Sequence, residues 1–413
     1  MRSERTTALI VVALGLTQII GYGTLYYSFS VLAPAMAADF GWPVEWIFGA
    51  LSVALLVGGL VAPWAGRAID SHGAGRVMAI GSVMAALALV AAALSPAGLI
   101  FAVALIAIEI ASTLVQYNAA FALLVQRQPR TAARTITYLT LIAGFASTIF
   151  WPVTAALHAH LSWQQVYLVF ALLHLALCLP VHAWFASTLR RPNVGTLTDA
   201  PVPVIGSMPA GRRRPAFTLL VAGFALQSFV IAAILIHMLP LMTALGLGAA
   251  GVLIGSLFGP AQVLSRFTNM MFGGGLSQVT LAIIAAVLLP LAIVILLASG
   301  SALAGALVFA VVLGLGSGLN SIVQGTLPLT LFGSDGYGGL QGRVTAVRLI
   351  VTSAAPFVLA LLMETMGVGS ALMITAILGA AAVLMFLGIA WLGRPDAPHE
   401  QTVDEALASG VQG

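Results

Sequence analysis

Few residues of this 413-residue chain can do chemistry, and those few lie in apolar surroundings. Glu109 interrupts an apolar run together with Ser112, Thr113 and Gln116, at spacings of three, four and seven that put all four on one helical face. A carboxyl at such a place can take up and release a proton, or it can be neutralised for good by an arginine or an interhelical hydrogen bond. Arg266 and Arg348 are the basic counterparts. A guanidinium is a planar fork that grips a carboxylate through two parallel hydrogen bonds, so either residue can hold an organic anion. Arg266 lies six residues before the end of its run at Phe272, about 9 Å inside by helical rise. From there its long stem can also snorkel outward, and Arg348, about one turn inside its own run, suits an anchor as well as a ligand. Gln18, Tyr22 and Tyr26, spaced by four, offer hydrogen bonds and aromatic walls. Gln227, Asn320 and Gln324 form a matching set later in the chain and serve equally well as glue between helices.

Other chemistries lack their residues. All sixteen basic residues are arginine, which excludes a Schiff-base lysine and a Walker phosphate loop. The chain carries no His-x-x-x-His pair and no Gly-x-Ser-x-Gly elbow, so it is not expected to be an enzyme. Cys178 is the only cysteine, which leaves no disulfide and no multi-thiolate metal site. No metal and no cofactor are expected. His174 and His182 share one helix, His158 and His160 fall in a loop, and His237 has no carboxylate or second histidine at ligand spacing. The pI near 9.6 comes from arginines scattered between apolar runs, without the basic stripe that nucleic acid would need.

The elements that must position these residues are membrane-spanning helices. Hydrophobic residues make up 61% of the chain and charged ones 7%, far from the roughly 25% charged of a soluble domain. Apolar windows predict twelve helices, near 8–35, 46–67, 77–94, 98–124, 134–157, 165–186, 216–240, 250–272, 278–298, 302–327, 343–364 and 370–392. The first is too long for a signal peptide and reads as a retained span. Alternate breaks hold Arg67 and Arg76, then Arg127, Arg130 and Arg134, then Arg190, Arg191 and Arg212 to Arg214, while the opposite breaks hold none. This bias places both termini in the cytoplasm of a bacterial cell, with the protein in the inner membrane as a multi-pass monomer.

Residues 187–215 turn polar and carry five prolines, a composition that resists packing and reads as a cytoplasmic linker. It separates an N-terminal six-helix bundle, 1–186, from a C-terminal one, 216–392, and residues 393–413 read as a disordered tail. The halves resemble each other. A shift of 208 lays Glu109, Ser112, Thr113 and Gln116 on Ser317, Asn320, Ser321 and Gln324, and a shift of 209 lays Gln18 on Gln227. Parallel six-helix repeats put a binding site between them near the midplane.

The loop Gly66-Arg-Ala-Ile-Asp70-Ser-His-Gly73-Ala-Gly-Arg76 resembles the signature loop of the major facilitator superfamily. The resemblance implies a gate, in which Gly66 and Gly73 permit close approach and tight turning while Asp70 pairs with Arg76 or a neighbouring arginine, latching the cytoplasmic side. Asp39-Phe-Gly-Trp42, together with Gln262-Val-Leu-Ser-Arg266, is similar to the monocarboxylate transporter and oxalate:formate antiporter branch, with Gln262 in place of that branch's acid. It implies that Arg266 meets a substrate carboxylate, with Arg348 near a second basic position.

These readings converge on a secondary active transporter of a small organic anion. Glu109 is expected to carry a coupling proton, unless a counter-anion drives exchange, and Arg266, Arg348, Gln18, Tyr22, Tyr26, Gln116, Gln227, Asn320 and Gln324 to form the substrate site. Glu109 and Arg266 should share one chamber. Efflux of a drug or toxicant such as an arsenical is the alternative.

Overall fold

A computed structural model describes residues 2–188 and 202–394 of the chain. An apolar run in lipid must satisfy its own peptide groups, and the helix does so within one segment. The spans are α1 Thr6–Phe40, α2 Val44–His72, α3 Ala74–Ala93, α4 Gly98–Arg127, α5 Ala132–His158, α6 Trp163–Thr188, α7 Ala210–Ile236, α9 Gln278–Ser299 and α10 Leu303–Phe332. Two short helices, Gly251–Ser256 and Phe258–Phe272, together make α8. The long helix Tyr337–Leu392 turns at Gly367 (φ 79°, ψ 161°) and supplies both α11, 337–366, and α12, 368–392. The fold is thus all-helical with twelve spans; among the described residues, extended pairing is limited to one isolated bridge between Ile205 and Gly333.

The halves repeat one packing scheme. In the first, α2 and α3 pack on α4, α3 on α6 and α1 on α5; in the second, α8 and α9 pack on α10, α9 on α12 and α7 on α11. Small residues bring the helices close, as where Gly318 of α10 lies against the backbone and Ser265 hydroxyl of α8, leaving no space for a methyl group.

Contact between the halves is concentrated at the arginine-rich end, where α2 lies along α11 and α5 along α10. Ile69, Phe121 and Ile136 from the first half share one buried cluster with Leu329, Tyr337 and Leu340 from the second. A methyl on Gly66 would sit 2.3 Å from the carbonyl oxygen of Gly338, so the two backbones touch with no side chain between them. Asp70 does not take the expected arginine. Its two carboxylate oxygens accept the amide N–H groups of Gly338 (2.8 Å) and Gly339 (2.6 Å) at the start of α11, where orphan amides and the helix dipole favour an anion. Arg76 is exposed, and Gly73 (φ 85°) turns the chain from α2 into α3.

The eleventh helix begins at Tyr337 rather than near 343, and Gln341, which looks like a loop residue in sequence, lies on it buried, its Nε2 donating to the Tyr337 hydroxyl (2.7 Å) and the Gln324 carbonyl (2.8 Å). The polar connection also departs from expectation. Residues 189–201, with Arg190 and Arg191, lie outside the described residues, as do 395–413 of the tail. Beyond them the chain docks on the end of α10: Val204 pairs with Ser334, Ser207 and Met208 donate to the carbonyls of Thr330 and Leu331 (2.9 and 3.1 Å), and Met208 is buried.

Two substitutions test this seal with spin labels at the exposed positions Ser71 and Asp335, introduced as cysteines after Cys178→Ala. Asp70→Ala removes a cap with a typical value of about 1 kcal/mol and should shift the population about five-fold toward a longer label distance. Gly66→Ala should lengthen the distance in every molecule; an unchanged distance for both variants would show that the seal does not depend on this contact.

Candidate functional site

Above the seal, a cavity opens between the halves, lined by Tyr22, Glu109, Ser112, Thr113, Gln116, Tyr117, Asn118, Thr345, Arg348 and Leu349. Nine of these ten are polar or charged. Its floor is tied across the halves by Thr345, whose hydroxyl donates to the Asn118 side-chain oxygen at 2.8 Å. The outer run of α4 presents Glu109, Ser112 and Thr113 on one face, as their spacing requires. Glu109 is buried and makes no hydrogen bond or ion pair among the described residues, and its backbone packs against Gly58 of α2.

The helix α4 does not run straight through the site. Gln116 is extended (φ −83°, ψ −164°), which ends one helical segment at Val115 and starts another at Tyr117. The amides of Ala119 and Ala120 both turn to the Gln116 carbonyl, so the Val115 carbonyl loses its helical donor. Gln18 supplies the replacement, its Nε2 donating to that carbonyl at 2.7 Å. Gln18 therefore stands behind the cavity wall, and its own Oε1 is buried without a partner.

Arg348 reaches the cavity from α11 half-buried, with Nη1 donating to the Gln324 side-chain oxygen. Tyr22 faces it with its ring 4.7 Å from that of Tyr117, and Tyr117 stacks on Phe121 at 4.9 Å. Tyr26 is 43% exposed, touches Tyr27 edge-on and lies within electrostatic reach of both Glu109 and Arg348.

Arg266 is elsewhere. It is buried and spans the two halves, donating from Nη1 to the Thr140 carbonyl (3.1 Å) and from Nε to the Ser321 hydroxyl (3.0 Å) and the Gly318 carbonyl (3.4 Å). It does not line the cavity with Glu109, although it lies within electrostatic reach of Tyr117 and Tyr27 beside it. Neither arginine snorkels. Gln262, one turn before Arg266, donates to Ser317 at 2.9 Å. Gln227 is buried with neither amide atom partnered, Asn320 is buried with its oxygen unpartnered, and neither lines the cavity. The structure thus gathers Tyr22, Glu109, Gln116 and Arg348, attaches Gln324 and Gln18 from behind, and leaves Arg266, Gln227 and Asn320 outside.

Sequence reasoning missed Tyr117, Asn118, Thr345 and Leu349. On an unbroken helix Asn118 would point away from Glu109, nine residues earlier, because 100° per residue puts it on the opposite face. The extended Gln116 changes that phase. The legible sign was the polar triplet Gln116-Tyr117-Asn118 within an apolar run, and for Thr345 its spacing of three from Arg348. Asp39, read as part of a transporter motif, accepts from Trp163 Nε1 (2.7 Å) and Gln164 Nε2 (2.8 Å) at the opposite end of the bundle and fixes α1 to α6.

The arrangement matches known architectures. The human organic anion transporter MFSD10 (TETRAN) superposes with a TM-score of 0.72 at 15% identity, covering 92% of this chain and 99% of the other. The proton:xylose symporter XylE bound to 6-bromo-6-deoxy-D-glucose gives 0.71 at 12% identity, over 92% and 96%. FucP in the outward conformation gives 0.65 at 13% identity, over 92% and 98%. No curated protein matches the sequence. The family model described as Major Facilitator Superfamily matches residues 14–356, most of the chain and all of the cavity lining. This protein is a multi-pass membrane transporter belonging to the major facilitator superfamily.

Proposed function

We propose that the protein is a secondary active carrier of a small organic anion of the monocarboxylate type, exposing one central site to each side in turn. The observation that carries this reading is the charge balance at the midplane. Arg348 and Arg266 are both held between the halves without an ion-pair partner among the described residues, and Glu109 is the one acid in the cavity lining. Membrane-embedded charge of one sign calls for a cargo of the other. The polar side chains of the lining offer a hydrophilic anion hydrogen-bond partners.

Glu109 gives the site a means of coupling. Ionised, it offsets the charge of Arg348; protonated, it leaves the site cationic, so a proton and an anion enter together. With the arginine-rich end in the cytoplasm, as the positive-inside bias supports, the seal of Gly66, Asp70 and Gly338 closes the cytoplasmic side and the site faces outward. Arg266, bound to carbonyls of α5 and α10, serves this cycle as a strut between halves rather than as the ligand.

Counterflow in proteoliposomes tests the anion site. Arg348→Ala should weaken monocarboxylate exchange by about 30-fold or more, as truncating one side of a desolvated charge pair usually does. Exchange at the wild-type level, or exchange of cationic drugs or arsenite in place of carboxylates, would refute it.

Glu109→Gln should retain counterflow yet fail to concentrate substrate when the external side is acidified. Accumulation driven by that gradient in the variant would move the coupling proton to another group.

A further inference from the structure

Within the carrier reading above, on which this step rests, we propose that the carboxylate of the cargo docks on the N-terminus of the second segment of α4. Its oxygens accept the backbone N–H groups of Tyr117 and Asn118 while Arg348 binds from the opposite wall.

The break that creates this terminus has no ordinary local cause. Neither Gly nor Pro stands at Gln116, and a broken helix exposes peptide groups that the hydrocarbon cannot solvate. The fold compensates most fully on the carbonyl side. The abandoned Val115 carbonyl receives Gln18, a residue 1% exposed and well placed to hold the break open. On the other side, the first-turn amides of Tyr117 and Asn118 have no carbonyl one turn back, since the extended Gln116 interrupts the ladder there, and the Tyr22 phenol beside the Tyr117 N–H is the group a cargo oxygen would displace. The second segment, Tyr117–Arg127, is eleven residues long, enough to give its start the partial positive charge of a helix dipole.

Side chains at the same place point to a ligand independently. Ser112 lines the cavity, is 3% exposed, and its hydroxyl has no partner. Glu109, 6% exposed, lines the cavity one or two turns away without a hydrogen bond. Together with Arg348 they line one open cavity between the halves. The repeat sharpens the point. The equivalent helix α10 is continuous through Gln324, and Gln227, which corresponds to Gln18, has no carbonyl to serve. The break therefore belongs to α4 alone and to the cavity it faces, not to the architecture that both halves share.

The decisive substitution is Tyr117→Pro. Proline suits the first position of a helix, and the residue before it is already extended, so the change removes one N–H with little conformational demand. Because the Tyr117 ring is lost as well, Tyr117→Ala is the reference. Purified full-length protein is titrated with formate, acetate, lactate, oxalate and succinate, and binding is read from thermal stabilisation. Tyr117→Pro should bind the best of these about ten-fold or more weaker than Tyr117→Ala, in line with the loss of a hydrogen bond to a charged group. Equal affinity overturns the subsite while leaving the carrier reading intact. Should Tyr117→Pro fail to fold, replacing Tyr117 by its α-hydroxy acid deletes the same N–H with the ring kept. A ten-fold weaker affinity than wild type supports the subsite, and an unchanged one overturns it. If no carboxylate stabilises the wild type, the anion reading falls and the subsite falls with it.

Discussion

Inside the hydrocarbon layer a peptide group has no water to turn to, and this constraint shapes the protein at every scale. It makes each span a helix. It also decides how a helix can be interrupted: where Gln116 leaves the helical conformation, the carbonyl set free at Val115 is met by Gln18 from α1. The same demand operates between the halves. The first amides of α11 would be orphans at a closed interface, and the carboxylate of Asp70 meets both. Helix ends and breaks are therefore where the two bundles, or two neighbouring spans, are tied together.

Charge obeys a harsher version of the rule. A guanidinium can enter this interior only with acceptors around it, and the two that do so are treated differently. Arg266 donates to two carbonyls and a hydroxyl drawn from α5 and α10, which makes it a bond between bundles. Arg348 has an amide oxygen and an open cavity in front of it.

Much of this was legible in the sequence. Run length gave the spans, and the shared offset of Glu109, Ser112, Thr113 and Gln116 with their counterparts foretold a repeated packing scheme. Helical spacing put Glu109 and Tyr22 on faces that line the cavity, but it could not place Arg266, because which acceptors surround that residue depends on helices 52 and 126 residues away in sequence. The break at Gln116 was hidden for a related reason. It is held by a side chain 97 residues earlier rather than by a local breaker, so no window along α4 could reveal it. Asp70 was expected to pair with an arginine, yet its partners are backbone amides, which carry no signature in a list of residue types.

The touching backbones of Gly66 and Gly338 limit how this contact between the halves can be adjusted over generations. A closure made of side chains can be tightened or loosened by small changes of size, but here every alternative residue at position 66 adds atoms where none fit. Variation in the strength of this contact must then be carried by its surroundings, by Asp70 and the apolar cluster about Ile69 and Tyr337, while the glycine at position 66 stays fixed.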